Sequence, residues 1–121
     1  MARYDDAALA ILDVGNTAEE EGRHGEAIEH FDHAAKLGAV EALVNMANIY
    51  DDDQSGFYDP LKARALYKEA LRKGVPEAAY GLANYYRLRG NRRWQEYWLR
   101  VGAGLGEEFA IDELAEFLSK T

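Results

Sequence analysis

No cysteine occurs among the 121 residues. Its absence excludes disulfides and thiolate-bound metals and suits a reducing compartment. Nor is there a long apolar run: no stretch approaches the ~20 apolar residues that a membrane span needs. The apolar residues 7–12 are too few, and their flank too acidic, for a secretory signal. The expected location is the cytoplasm, with no membrane partner. A Gly-rich phosphate loop is missing too, and Ser55 and Ser119 have no His placed by sequence to activate them. Scattered carboxylates on helix faces do not make an acid–base pair. No catalytic residue and no cofactor are assigned, and the chain is not expected to be an enzyme. With only two Pro, eleven Gly and 48% hydrophobic residues, the composition fits one ordered globular domain and not a disordered segment.

Bases are scarce at both ends. The net charge is −8. Residues 1–60 hold fourteen acids against three Lys or Arg, and residues 106–121 hold five against one. Residues 61–105 reverse the balance, with ten bases against three acids. Such polarity steers charged partners toward one end. It argues against duplex nucleic acid, because both ends repel phosphates.

What the chain does contain is a copy of itself. Residues 41–50 read EALVNMANIY and residues 77–86 read EAAYGLANYY. Glu41, Ala42, Ala47, Asn48 and Tyr50 recur as Glu77, Ala78, Ala83, Asn84 and Tyr86. A period of 36 residues marks a helical repeat. The frame of Ala, apolar residue, small residue and large residue fits Ala42/Met46/Ala47/Tyr50 and Ala78/Leu82/Ala83/Tyr86. It also fits Ala110/Leu114/Ala115/Leu118, and Ala10/Val14/Gly15/Ala18 except at its last place. The small residue lets helices approach closely. Gly38, Gly74 and Gly106 are expected to end helices, and Asp59-Pro60 and Pro76 to open them. Apolar spacing then predicts seven helices, at about 5–21, 25–37, 41–51, 60–73, 77–89, 91–104 and 107–119.

These residues resemble the tetratricopeptide repeat family and its Sel-like relative. Val14, Gly15, Ala18, Gly22, Ala27, Phe31 and Ala34 look like a tetratricopeptide repeat. Asp59, Lys62 and Ala63 match the Sel-like D-x-x-K-A, and Trp98 and Gly102 match in the third repeat, where Gln95 replaces the usual alanine. The resemblance implies an all-α, right-handed α-solenoid in a single domain over residues 1–121. Its three helix-turn-helix repeats would span about 5–38, 39–74 and 75–106, with a capping helix at 107–121.

In that family the first helices of the repeats line a concave groove that binds an extended peptide or a partner's surface loop. Carried over by position, Leu9, Leu12, Asn16 and Glu19 would line it from the first repeat. Glu41, Val44, Asn48 and Asp51 would follow, then Glu77, Tyr80, Asn84 and Arg87, then Phe109, Asp112 and Glu116. Of these, Asn16, Glu41, Val44, Asn48, Asp51, Glu77, Tyr80, Asn84, Arg87 and Asp112 are the candidate partner-binding residues. Asn16, Asn48 and Asn84 form a ladder whose amides can pair with both the N–H and the C=O of a peptide; the competing reading has them bond to neighbouring helices. The acids suit a basic, Lys- or Arg-bearing protein partner, or are merely a solvated face. Tyr80 is a candidate anchor, whereas Tyr50, Tyr67, Tyr86, Trp94 and Trp98 are expected in the core.

Three further patterns compete with plain structural readings. Asp51, Asp53, Ser55 and Gly56 imitate a calcium loop, but Lys62 stands where the bidentate Glu belongs. His30 and His33 share a helix face without a third ligand. No metal site is assigned on either. Arg87, Arg89, Arg92, Arg93 and Trp94 resemble a single-strand nucleic-acid patch or pair with nearby acids; nucleic acid is not the expected partner. The expected function is protein–protein recognition by a monomer or weak dimer, the latter through Phe109 or Phe117. The alternative is an immunity protein or inhibitor that masks a basic toxin or nuclease.

Overall fold

The structure, a computed structural model, describes residues 6–120. Residue 5 of the first expected helix and residue 121 of the expected cap lie outside the described residues. Seven helices form among the described residues: α1 (Asp6–Glu20), α2 (His24–Lys36), α3 (Ala42–Tyr50), α4 (Pro60–Arg72), α5 (Glu77–Leu88), α6 (Arg92–Gly104) and α7 (Glu108–Ser119). No strand occurs among the described residues.

The helix ends repeat one device. After α2, the Gly38 N–H donates to the Ala35 carbonyl and the Ala39 N–H to the Ala34 carbonyl, both at 3.0 Å. After α4, Gly74 and Val75 donate in the same way to Leu71 and Ala70. This pair of bonds satisfies carbonyls that the helix leaves open, and it needs a left-handed residue at the turn. Gly74 supplies that residue, with φ of 89°. The residue after each glycine then turns inward, and Ala39 and Val75 are buried. α3 ends differently, in a loop. There the Ser55 hydroxyl donates to the Ile49 carbonyl at 2.8 Å and accepts the Phe57 N–H. The side chain of Asp59 accepts the Lys62 N–H at 3.2 Å and so caps α4 ahead of Pro60.

The chain divides into two compact units, one up to Leu66 and one from Tyr67. In the first, α1 packs on α2 and α2 on α3. Its densest contact is between α1 and α2, where Gly15 leaves room for Phe31. A Cβ on Gly15 would stand 2.7 Å from the Phe31 ring. In the second unit α5 packs on α6, α6 on α7, and α5 also touches α7. Ala83, Leu99, Ala110 and Phe117 form a buried cluster there, with Tyr80, Trp98 and Leu114 packed against it. Gly102 approaches so closely that a Cβ on it would meet the Ala110 Cβ at 2.7 Å.

The repeated frame is buried in α3 and α5 up to its last place: Ala42, Met46, Ala47, Ala78, Leu82 and Ala83 are at most 4% exposed, whereas Tyr50 and Tyr86, expected in the core, are half-buried. In α1 and α7 it opens to solvent: Ala10, Val14, Ala115 and Leu118 are exposed. A first or last helix has a sequence neighbour on one side only, so half of the frame has nothing to pack on. The aromatics also divide. Tyr67 is buried as expected, but Trp94 is 43% exposed, stacked on Tyr86 at 6.0 Å between ring centroids. The buried member of the Tyr85–Tyr86 pair is Tyr85, covered by the Arg89 guanidinium at 3.6 Å.

Candidate functional site

The candidate residues of α3 and its flanks stand at 41, 44, 48 and 51, intervals that keep side chains on one helix face. The opposite face buries Ala42, Leu43, Met46 and Ala47. Val44 is therefore only half-buried and Asn48 is exposed. On α1, Asn16 is half-buried, and its Oδ1 accepts from Asn45 Nδ2 at 3.4 Å. That bond is long, but it ties α1 to α3 through side-chain amides. Asn45 was not among the sequence candidates. A search for amides one helix apart, at a position other than the repeated one, would have found it.

Beside Asn16 lies Glu19, near the end of α1. Burial raises its pKa above the ordinary value of 4.5; His24 lowers it, and Glu20 raises it further. With the folded value raised, Glu19 adds stability below the unfolded pKa, and this contribution is lost as pH rises through the folded pKa. Glu19→Gln is thus expected to melt higher than the wild type near pH 7. The gap should close at about pH 3, where both side chains are neutral. A gap of constant size across that range would show that burial of the charge is not the cause.

On α5 the same register places Glu77, Tyr80, Asn84 and Arg87 on one face. The Tyr80 hydroxyl donates to Glu113 Oε1 on α7 at 2.6 Å, and its ring stacks on Phe109 with centroids 5.6 Å apart. Burial, and next the bond to Glu113, push the Tyr80 hydroxyl pKa above 10.0. Its contribution to stability is therefore complete below the unfolded value and lost as pH rises through the folded one. Arg87 Nε donates to Asn84 Oδ1 at 3.2 Å, which fixes both side chains. Phe109 is 66% exposed although it covers one face of Tyr80. Glu77 and Asp112 are exposed. The residue that α7 brings to Tyr80 is Glu113, four beyond Phe109 and so on the same face. Sequence reading passed over it, although the i, i+4 step from Phe109 points to it.

Next to this stripe is a pocket of ≈ 380 Å³ between the end of α5, the start of α6 and one face of α7. Arg87, Arg92, Gln95, Glu113, Glu116, Phe117 and Lys120 line it. The Arg92 guanidinium lies over the Phe117 ring at 4.4 Å. Two of the five residues in the expected basic cluster thus face a pocket that also holds carboxylates.

The other patterns resolve into local structure. In the calcium-like loop Ser55 turns inward, and Asp52 accepts the Gln54 N–H at 2.9 Å. His30 is half-buried and His33 exposed. No group of three or more His, Asp or Glu converges among the described residues. No helix among them is long and apolar enough to cross a membrane.

The class that this architecture defines, over the described residues, is an all-helical protein in which consecutive helices pack on one another within each of two compact units, compatible with a helical repeat fold. No protein-family model matches the chain, and no curated protein matches it.

Proposed function

We propose that the chain is a protein-recognition module of the tetratricopeptide or Sel-like kind: one domain, built as a right-handed solenoid of three repeats and a cap. It acts by binding, without a cofactor. Its partner is a basic, Lys- or Arg-bearing protein segment, held along the faces that carry Asn16, Glu41, Val44, Asn48 and Asp51, then Glu77, Tyr80, Asn84, Arg87 and Asp112. The observation that carries this reading is the shared register of α3 and α5. Both follow the same glycine-ended turn, 36 residues apart, and both bury the same frame. Each therefore keeps an Asn on the side away from that frame, with Glu77 exposed at the start of α5 and Glu41, one of whose carboxylate oxygens is buried, ahead of α3. Side-chain amides there suit an extended backbone, and the acids suit Lys or Arg. The excess of acids in residues 1–60 favours the same sign of partner, including the folded basic face that an inhibitor or immunity protein would cover.

The test is an array of extended peptides, basic against acidic, probed with the wild type and with Asn48→Ala/Asn84→Ala. Two lost amide contacts are expected to weaken the best basic peptide by at least about tenfold. Stability should change by no more than about 0.5 kcal/mol, as for surface substitutions. If binding is retained, or if acidic peptides bind equally well, the groove reading fails. Loss of stability in parallel with binding would make the amides structural.

A further inference from the structure

Phe109 is the most exposed large apolar side chain among the described residues, at 66%. One face of its ring stacks on Tyr80, with the two planes 29° apart, and the rest is open to solvent. The pair is fixed in place. The Tyr80 hydroxyl donates to Glu113 Oε1, so α7 holds Tyr80 at both its ring and its hydroxyl. Elsewhere in the same unit, aromatic faces carry a guanidinium of the chain itself. Arg89 covers Tyr85 at 3.6 Å, and Arg92 covers Phe117 at 4.4 Å. Phe109 has no such cation among the described residues; acids flank it instead. Asp112 follows Phe109 by three residues and Glu77 precedes Tyr80 by three, a step that keeps each acid on the face of its ring. Both carboxylates are exposed, and neither has an ion pair or a hydrogen bond among the described residues. The cation of α5, Arg87, lies about 10 Å further along that helix than Tyr80 and is held by Asn84.

We propose that the Tyr80–Phe109 pair is an arginine-binding platform, so that the partner segment presents an arginine, and not just any basic residue, at this point. The inference rests on the groove reading of the proposed function and narrows it. Its physical ground is the shape of the cation. A guanidinium is planar and lies flat on a ring. Its in-plane N–H groups then point outward, where a carboxylate such as Asp112 or Glu77 can accept two parallel bonds. A lysine ammonium is compact and strongly hydrated, so it gains the attraction of the acids but less from the ring. An apolar side chain gains the ring and nothing from the acids, and an anion is repelled by them.

The probes are three blocked peptides, Ac-Ala-Lys-Ala-X-Ala-Lys-Ala-amide with arginine, lysine or citrulline at X, and a fourth with glutamate in place of every basic residue. Citrulline keeps the planar shape of arginine without its charge. The readout is the ring resonances of Phe109 and Tyr80 in the wild-type protein, with Kd from the titration. The arginine peptide is expected to move the Phe109 ring and to bind about three- to fivefold more tightly than the lysine peptide, as for an exposed cation–π contact. The citrulline peptide should bind no more tightly than the lysine one. Phe109→Leu should still bind the arginine and lysine peptides, but alike. The platform is overturned, and the groove reading left standing, if arginine and lysine peptides bind the wild type equally, if citrulline matches arginine, or if the Phe109 ring does not move. Failure of all three Lys-bearing peptides to bind, or equal binding of the glutamate peptide, overturns both. These outcomes are read on the wild type, so a variant that failed to fold would not rescue the proposal.

Discussion

Phe31→Ala is expected to lower the free energy of unfolding by about 3–5 kcal/mol, the usual range for a buried phenylalanine. Phe31 is fully buried and is among the largest side chains so placed. Its ring lies against Gly15, where a Cβ would come within 2.7 Å of two ring carbons and 3.3 Å of the His30 Cβ. Truncation leaves a cavity bordered by a glycine, which has no side chain to move into it. The reverse change tests the same contact from the other side. Gly15→Ala is expected to cost about 1–3 kcal/mol by overpacking. Combined with Phe31→Leu it should cost less than the sum of the two, because the smaller side chain relieves the clash. Urea denaturation of the wild type, Phe31→Ala, Gly15→Ala, Phe31→Leu and the Gly15→Ala/Phe31→Leu variant measures these terms. A loss below about 1 kcal/mol for Phe31→Ala would mean that α1 and α2 do not meet as described.

The second large effect is a change of sign for one substitution at two glycines. Gly81 lies in the middle of α5, and a Cβ on it would stand 2.3, 2.7 and 2.9 Å from three ring atoms of Tyr67. Tyr67 is only 3% exposed, so its ring has nowhere to slide. Alanine favours the helix by roughly 1 kcal/mol over glycine, but overpacking at this distance costs about 1–3 kcal/mol or more. Gly81→Ala is therefore expected to be destabilising. Gly104 ends α6, and a Cβ there would meet nothing within 4 Å. Gly104→Ala is expected to stabilise by about 0.4–1 kcal/mol. Melting temperatures should move in opposite directions, by about 4 °C per kcal/mol. Stabilisation at both sites would show that Tyr67 is not seated against α5.

Much of the helical order was legible before any coordinates. Gly38, Gly74 and Gly106 stop helices because the left-handed turn is a local requirement, and Asp59-Pro60 opens α4 for an equally local reason. Both ends of every helix fall within one residue of the boundaries read from spacing, over the described residues. The 36-residue period likewise marked which faces of α3 and α5 would be buried, because burial on a helix follows its 3.6-residue turn. The candidate site was legible in part. The positions carried over from the family resemblance put Tyr80, Asn84 and Arg87 on one stripe, which needs only the geometry of α5.

What the sequence determined by itself is therefore what depends on neighbours along the chain: the helices, their ends, and the side of α3 and α5 that faces inward. The tertiary structure decided what depends on distance between helices. It chose Glu113 to receive the Tyr80 hydroxyl and Asn45 to meet Asn16, and it set Arg92 over Phe117. It also left Trp94 exposed and the frame of α7 half open. None of these pairings repeats along the chain, because each arises where two helices cross and so depends on packing angle and side-chain volume. A one-dimensional period carries no record of either.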